Sequence, residues 1–290
     1  MLWVTLALGS ALFLGFYDIA KKKALTGNAV LPVLFFVSLT CTAVLLPVYV
    51  LGKIPSLALS EHLMLLVKAA IVTASWIFTF NAVSRLPLSL TAPIRASAPI
   101  FTIAMAVAIM GERPSSFEWI GIGFAMVSYF LISIASRKET GHFFTNIWIL
   151  SMFFGTFLGS CSGVYDKFLL QRAKLDPLAI QFYFNIYMAC IQAFSILLLR
   201  FLQRNKPDRK RFEFRWIILA VGVLLVIADR FYFLAVHEPD ALISVVTVIR
   251  RSNVLISFAG GLIFFKEKRT KLKYVAMVGI LIGLFFFGLK

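Results

Sequence analysis

The sequence predicts an all-α integral membrane protein of ten transmembrane helices, arranged as two inverted five-helix repeats around a central cavity. Composition is the first reason, because 60% of the 290 residues are hydrophobic, 30 are Phe and the mean hydropathy is +0.90, values outside the range of soluble globular domains. The second is a series of apolar runs of about 20 residues, the length that spans a bilayer. The third is a set of short motifs that recur between the two halves of the chain.

Ten apolar runs follow one another, at residues 2–20, 29–51, 62–84, 89–110, 117–135, 147–169, 178–202, 215–236, 241–265 and 273–289. The first run has no basic segment before it and ends at Lys21, Lys22 and Lys23, so it is predicted to be a retained span and not a cleaved signal peptide. Short connections containing Pro or charged residues separate the runs. They leave no room for a soluble domain.

Basic residues exceed acidic residues by 29 to 13, which gives a net charge of +16. Most of the Lys and Arg fall in the short loops after the odd-numbered spans, where positive charge orients helices and contacts anionic lipid. We therefore expect membrane lipid and a small-molecule solute as partners, and no nucleic acid. The pattern favours a multi-pass protein of the cell (inner or plasma) membrane with both termini outside. A monomer and a homodimer are both compatible with it.

Residues suited to catalysis or metal binding do not cluster in the sequence. The cysteines all lie in apolar runs without CxxC or metal-ligand spacing: Cys41, Cys161 and Cys190. The histidines fall in separate loops: His62, His142 and His237. The sequence accordingly predicts no disulfide, no metal and no cofactor, and it does not predict an enzyme.

Two motifs recur in the halves. Gly15-Phe16-Tyr17-Asp18 at the end of the first span matches Gly163-Val164-Tyr165-Asp166 at the end of the sixth, and Ile94-Arg95-Ala96-Ser97 in the fourth matches Ile249-Arg250-Arg251-Ser252 in the ninth. The next acidic residue after Arg95 is Glu112, and Glu267 follows Arg250 at the same spacing. Because each half contains five spans, an odd number, the second half is predicted to enter the membrane from the opposite side.

Ten spans, halves of five helices and a Glu after the fourth helix of each half resemble the drug/metabolite transporter superfamily, in particular its EamA-type members. The resemblance covers nearly the whole chain and makes residues 2–135 and 147–289 the two EamA-like repeats. It implies a central cavity and solute movement by alternating access. It does not name the solute, since relatives carry amino acids, nucleotide sugars, phosphorylated sugars and drugs.

Arg95, Arg250 and Arg251 are the candidate solute-binding cations. Each lies inside an apolar run, where an Arg costs at least about 2.5–3.5 kcal/mol unless it faces protein or water. A guanidinium binds carboxylate or phosphate bidentately, so we expect an anionic or zwitterionic solute near the middle of the membrane. Phosphate-carrying relatives place basic residues on the same two helices, an arrangement that these arginines resemble. An ion pair of Asp229 with Arg250 or Arg251 is the alternative.

Other polar and aromatic residues of the spans are assigned to the same site: Ser97, Ser252, Trp76, Asn81, Asn185, Gln192 and Tyr232. Asn185 and Gln192 share one face of the seventh span with Gln181 and Met188, at i, i+4, i+7 and i+11 spacing. For any single one of them, packing is the simpler role.

Asp18 and Asp166 are candidates for coupling, because a carboxylate within a span can bind and release a proton. The alternative is a Tyr-Asp anchor at a helix end, beside Lys21 to Lys23 or beside Lys167. These two acids and Asp229 complete the predicted site.

The predicted function is a secondary transporter for a small polar metabolite, working by alternating access. An exporter of lipophilic or cationic compounds is the alternative within transport. A channel or a membrane scaffold is the alternative outside it, although a channel needs a continuous polar pore or charged rings and an inverted repeat favours a carrier. The sequence contains no nucleotide-binding loop, so ATP drive would require another subunit.

Overall fold

The computed structural model describes residues 2–85, 94–95, 97–136, 147–202, 211–264 and 271–287. In these residues all regular structure is helical, which confirms the all-α prediction. The helices are α1 (Leu2–Leu25), α2 (Val30–Val50), α3 (Leu59–Arg85), α4 (Ala98–Met110), α5 (Ser116–Ser136), α6 (Ile147–Lys167), α7 (Pro177–Leu202), α8 (Ile217–His237), α9 (Ile243–Arg251), α10 (Asn253–Phe264) and α11 (Lys271–Phe287). A π-helical turn, Phe168–Arg172, extends α6. Glu267, Ala96 and the first residues of the predicted fourth span lie outside the described residues.

Six of the described helices are long and apolar enough to span a bilayer: α1, α2, α3 up to Ala82, α6 with its π-helical turn, α7 up to Leu199, and α8. Shorter apolar helices are α4, the first part of α5 and most of α11. Large hydrophobic side chains remain exposed along these helices, as expected where lipid surrounds the protein.

The predicted ninth span, 241–265, is not one continuous helix. α9 ends at Arg251, and the Ser252 N–H donates to the Ile249 carbonyl at 3.0 Å before α10 begins at Asn253. Ser97 forms the same kind of turn before α4, with its N–H 3.1 Å from the Ile94 carbonyl. A tight i to i+3 bond replaces the regular helical bond at both places. The repeated Ile-Arg-x-Ser motif therefore interrupts a span in each half.

The first span continues past its predicted end at residue 20, through the three lysines to Leu25. Lys21 lies inside α1 with only 8% of its surface exposed. Its ammonium lies 2.5 Å from the carboxylate of Asp18, one helical turn earlier. Because Asp18 neutralises its charge, Lys21 can lie inside α1, although the sequence predicted that the span would end before it, at the membrane–water interface.

The largest helix contacts join the first half of the chain to the second. α1 packs against α8, α3 against α6, α2 against α7, and α5 against α11. Glycine permits close approach at several of these contacts. A Cβ added at Gly155 of α6 would lie 2.9 Å from the Ser75 carbonyl oxygen and 2.7 Å from Thr79 Cγ2 of α3.

We expect Gly155→Ala to lower the free energy of unfolding by about 1–3 kcal/mol, because the added methyl group forces α3 and α6 apart. Gly123 of α5 is the matched control, since a Cβ there meets no atom within 4 Å. Gly123→Ala should leave stability unchanged or raise it slightly through helix propensity. Thermal unfolding of the purified proteins in detergent measures both, and equal melting temperatures of the two variants would contradict the packing argument.

Candidate functional site

A cavity of about 230 Å³ lies among α1, α3, α6, α7, α8 and α9, beside the beginning of α4. All three predicted arginines line it. The other charged side chains of its wall are Lys21, Lys68, Asp166 and Asp229. The fold therefore brings the intramembrane charges of different helices to one place.

Arg250 is neutralised inside the protein. It forms an ion pair with Asp229 of α8, the alternative that the sequence left open. Its guanidinium carbon also lies 4.1 Å from the centroid of the Tyr232 ring, within the range of a cation–π interaction. Among the nitrogen atoms of the Arg250 guanidinium, Nε is buried without a hydrogen-bond partner in the described part of the chain.

Asp166 is also paired. It forms a buried ion pair with Lys68 of α3, and the Tyr232 hydroxyl donates to it at 3.1 Å. Its neighbour Lys167 does not contact it and instead lies 2.5 Å from Glu112. Asp166 thus contacts α3 and α8, in a setting different from a helix-end anchor beside Lys167.

Lys68 is the main residue that sequence reasoning missed. Its side chain is 3% exposed, and its ammonium lies 4.4 Å from the ring centroid of Phe184 and 5.2 Å from that of Phe233. The signal was a single lysine within the apolar run 62–84. The rule that identified the arginines, that charge inside a span needs a partner or water, applies to Lys68 as well.

Three polar side chains from different parts of the chain contact Asp18. Lys21 donates to it at 2.5 Å and the Asn253 side-chain amide at 2.6 Å, whereas the Arg95 guanidinium lies farther away, at 3.7 Å. The Arg95 side chain remains 30% exposed. Asp18 is therefore held mainly by Lys21 and Asn253, and Arg95 keeps most of its hydrogen-bonding capacity.

Arg251 lines the cavity without a hydrogen bond or an ion pair to any residue that the structure describes. It is the last residue of α9. The carboxylate of Asp229 forms its ion pair with the neighbouring Arg250. A guanidinium at this depth needs an anionic, polar or aqueous contact, and the described protein atoms do not provide one.

The described charges around the cavity do not balance. Five cations line it: Lys21, Lys68, Arg95, Arg250 and Arg251. Three carboxylates contact them: Asp18, Asp166 and Asp229. Since Lys68 and Arg250 each have a carboxylate partner, and Asp18 is bound closely by Lys21, the excess of two positive charges lies at Arg95 and Arg251.

The predicted polar and aromatic residues divide into two groups. Trp76, Asn185 and Tyr232 line the cavity. Asn81, Gln192, Ser97 and Ser252 are not among the lining residues that the structure describes. The Asn81 amide donates to the Ile77 carbonyl at 2.7 Å and the Ser97 hydroxyl to the Ile94 carbonyl at 2.6 Å, while Gln192 and Ser252 are buried. Asn81 and Ser97 bond to nearby backbone, and Gln192 and Ser252 are buried outside the cavity lining. Spacing along the sequence does not reveal either fate, so it could not distinguish these residues from those that line the cavity.

Comparisons with known proteins relate this chain to a transporter family and to a solved fold. Residues 1–134 match the model of the EamA-like transporter family, which confirms the predicted resemblance. A solved structure described as "Crystal structure of protein" is similar to the chain with a TM-score of 0.72 and 14% sequence identity, over 99% of this chain and 98% of that chain. At this identity the likeness shows the fold alone. No curated protein matches the sequence.

The Lys68–Asp166 pair supplies a stability prediction. Lys68→Met and Asp166→Asn should each destabilise the protein by about 3–5 kcal/mol, because each leaves a buried polar partner uncompensated. The double variant Lys68→Met/Asp166→Asn should lose much less than the sum of the two. Thermal unfolding in detergent provides the double-mutant cycle, and additive losses would show that the two side chains do not stabilise one another.

Proposed function

Because residues 1–134 match the EamA-like transporter family, which is part of the drug/metabolite transporter superfamily, we propose that this chain is a membrane transporter that carries a small anionic metabolite by alternating access. Family members are multi-pass integral membrane transporters, and six described helices have the length and composition of membrane spans. Both observations support a multi-pass membrane transporter. Its solute and its mechanism are the subject of the proposal.

The proposal of an anionic solute rests on the guanidinium of Arg251, which has no hydrogen bond or ion pair among the described residues. Together with the weakly held Arg95 it places two uncompensated positive charges on the cavity wall. A carboxylate or phosphate would meet both guanidinium groups with charge-assisted hydrogen bonds. A cationic solute would add to the excess charge, because the lining carboxylates Asp166 and Asp229 already have partners.

Trp76, Asn185 and Tyr232 are proposed to complete the solute site, because they lie on the same wall as the arginines. An aromatic ring and an amide allow stacking and hydrogen bonding of the uncharged part of a metabolite. A cavity of about 230 Å³ suits a small molecule better than a large lipophilic drug. This supports the metabolite carrier over the exporter of lipophilic compounds.

Residues 2–135 and 147–289 are proposed to be inverted repeats. The helix contacts support this assignment, because most have a counterpart when α1 is exchanged with α6 and α3 with α8. The contact of α1 with α8 then corresponds to that of α6 with α3, and the contact of α1 with α10 to that of α6 with α4. Rocking of one half against the other about the central cavity would expose the solute site to each side in turn.

The proposed orientation places both termini outside the cell membrane, since the end of α1 and the connection before α8 contain basic residues. A reporter enzyme that is active only in the cytoplasm, fused after Lys290, should therefore show little activity. The same reporter placed in the basic connection 203–210 should be active. Strong activity of the C-terminal fusion would reverse the orientation.

Anionic metabolites should raise the melting temperature of the purified wild-type protein and drive saturable exchange in proteoliposomes. Arg251→Ala and Arg95→Ala should weaken apparent affinity by about 10- to 100-fold, the effect of losing one charge-assisted hydrogen bond. Arg172→Ala is the matched control, because Arg172 is exposed and lies outside the cavity lining. It removes the same charge and should leave binding unchanged.

Three results would contradict the proposal. Anions that stabilise the wild type and the Arg251→Ala variant equally would show that the arginine site is wrong. Stabilisation only by cationic or lipophilic compounds would favour the exporter. Linear current driven by voltage, without saturation or stimulation by solute on the opposite side, would favour the channel.

A further inference from the structure

Glu112 forms a second buried charged cluster, outside the cavity. It lies in the turn between α4 and α5 and is 5% exposed. Its carboxylate accepts hydrogen bonds from the Ile243 N–H at 2.7 Å, the Ser244 N–H at 3.1 Å, the Ser244 hydroxyl at 2.5 Å and the Lys167 ammonium at 2.5 Å. Sequence reasoning used Glu112 only as a marker of the repeat, although it is among the most connected side chains that the structure describes.

The carboxylate of Glu112 joins the two halves of the chain. Glu112 belongs to the first half, and it caps the first turn of α9 in the second half, where free backbone N–H groups and the helix dipole favour negative charge. Lys167, at the end of α6, binds Glu112 and also donates to the Ala241 carbonyl at 3.1 Å. One carboxylate and one ammonium thus fix the start of α9 to two other helices.

Gln171 reinforces this end of the bundle. From the π-helical turn after α6, its amide donates to the carbonyls of Val236, Glu238 and Ala241 at 2.9, 2.8 and 3.3 Å. These carbonyls lie at the end of α8 and in its connection to α9. The ends of α6 and α8 and the beginning of α9 are therefore tied together. We call Glu112, Lys167, Gln171 and Ser244 the Glu112 cluster.

The cavity reaches one end of the bundle and stops short of the Glu112 cluster. At one end its wall includes Leu25, the last residue of α1. At the other end the wall extends on α6 to Asp166, the residue before Lys167, whereas the outermost lining residues of α8 and α9 are Phe233 and Thr247, each a full helical turn inside its helix. The Glu112 cluster occupies the ends of these helices beyond them.

We propose that the Glu112 cluster is a gate, closed in this structure, which must open for the cavity to face the side of the membrane where α4 ends. The proposal rests on the alternating access proposed above and adds the residues that seal one side. Opening separates the Glu112 carboxylate from the first turn of α9. The freed amides, ammonium and carboxylate then meet water, which replaces the lost hydrogen bonds.

α9 connects this gate to the solute site. Glu112 holds its first turn, and Arg250 and Arg251 form its last residues. Nine residues of helix place the two ends about 12 Å apart. A solute that binds the arginines therefore acts on the same rigid element that the gate holds.

Accessibility of a single cysteine tests the gate. In a background with Cys41→Ala, Cys161→Ala and Cys190→Ala, Thr247→Cys places a thiol in the cavity wall on the gate side. A membrane-impermeant thiol reagent is added to sealed vesicles of either orientation. With Glu112 intact, labelling should come mainly from the side where α1 ends, and Glu112→Gln should raise labelling from the opposite side about tenfold.

Glu118→Gln is the matched control. Glu118 is the third residue of α5, and its carboxylate accepts the Ser115 N–H at 2.6 Å in an exposed hydrogen bond that caps only its own helix. It should leave labelling unchanged. Ser244→Ala, which removes one short hydrogen bond to Glu112, should raise opposite-side labelling about threefold and provides a milder variant if Glu112→Gln does not fold.

The gate would be overturned if labelling of Thr247→Cys from the opposite side were the same with Glu112 and with Glu112→Gln, or if Glu118→Gln raised it equally. The anion-dependent melting shift of the Glu112→Gln variant separates the two proposals. A retained shift with unchanged labelling removes the gate and leaves the anion site. If anions do not shift the melting temperature of the wild-type protein, the proposal of an anionic solute is wrong, and the labelling still tests the gate.

Discussion

Charge inside a membrane-spanning bundle must be paired or kept in contact with water, and the described interior of this protein depends on that constraint. Lys68 pairs with Asp166, Arg250 with Asp229, and Lys21 with Asp18. At least one member of each pair lines the central cavity, whereas exposed Leu, Phe, Ile and Val side chains predominate on the outer surface. Arg95 and Arg251 are left over from these pairs, and their excess positive charge is the basis of the proposed anionic solute.

The same polar contacts hold the two halves together. Between helices in lipid there is little hydrophobic driving force, so close packing and interhelical hydrogen bonds stabilise the bundle. Lys68–Asp166 joins α3 to α6, Asp18–Asn253 joins α1 to α10, and Glu112 joins the end of α4 to the start of α9. Each crosses from the first half of the chain to the second. A movement of the halves must preserve or exchange these contacts, which makes them the natural places for solute binding and for gating.

Both proposed roles, solute binding and gating, involve the short helix α9. It is held at its first turn by a carboxylate and presents two arginines at its last. The break at Ser252 separates it from α10, so α9 is shorter than a membrane span and can shift without moving a whole transmembrane helix. The turn at Ser97 places Arg95 beside a similar break. The repeated motif thus supplies a cation and a point of helix interruption together.

The sequence by itself determined the all-helical membrane class, the resemblance to the EamA-like transporter family and the arginines of the cavity, because hydropathy, short motifs and charge inside apolar runs are local properties of the chain. It did not determine which charges pair. Spacing along one helix cannot tell that Asp166 meets Lys68 of another helix and not the adjacent Lys167, or that Glu112 caps a helix 131 residues away. It also did not determine that the side chains of Asn81 and Ser97 donate hydrogen bonds to backbone carbonyls three or four residues earlier. Only tertiary packing, which brings distant helices within hydrogen-bonding distance, decided that Arg251 remains without a protein partner among the described residues.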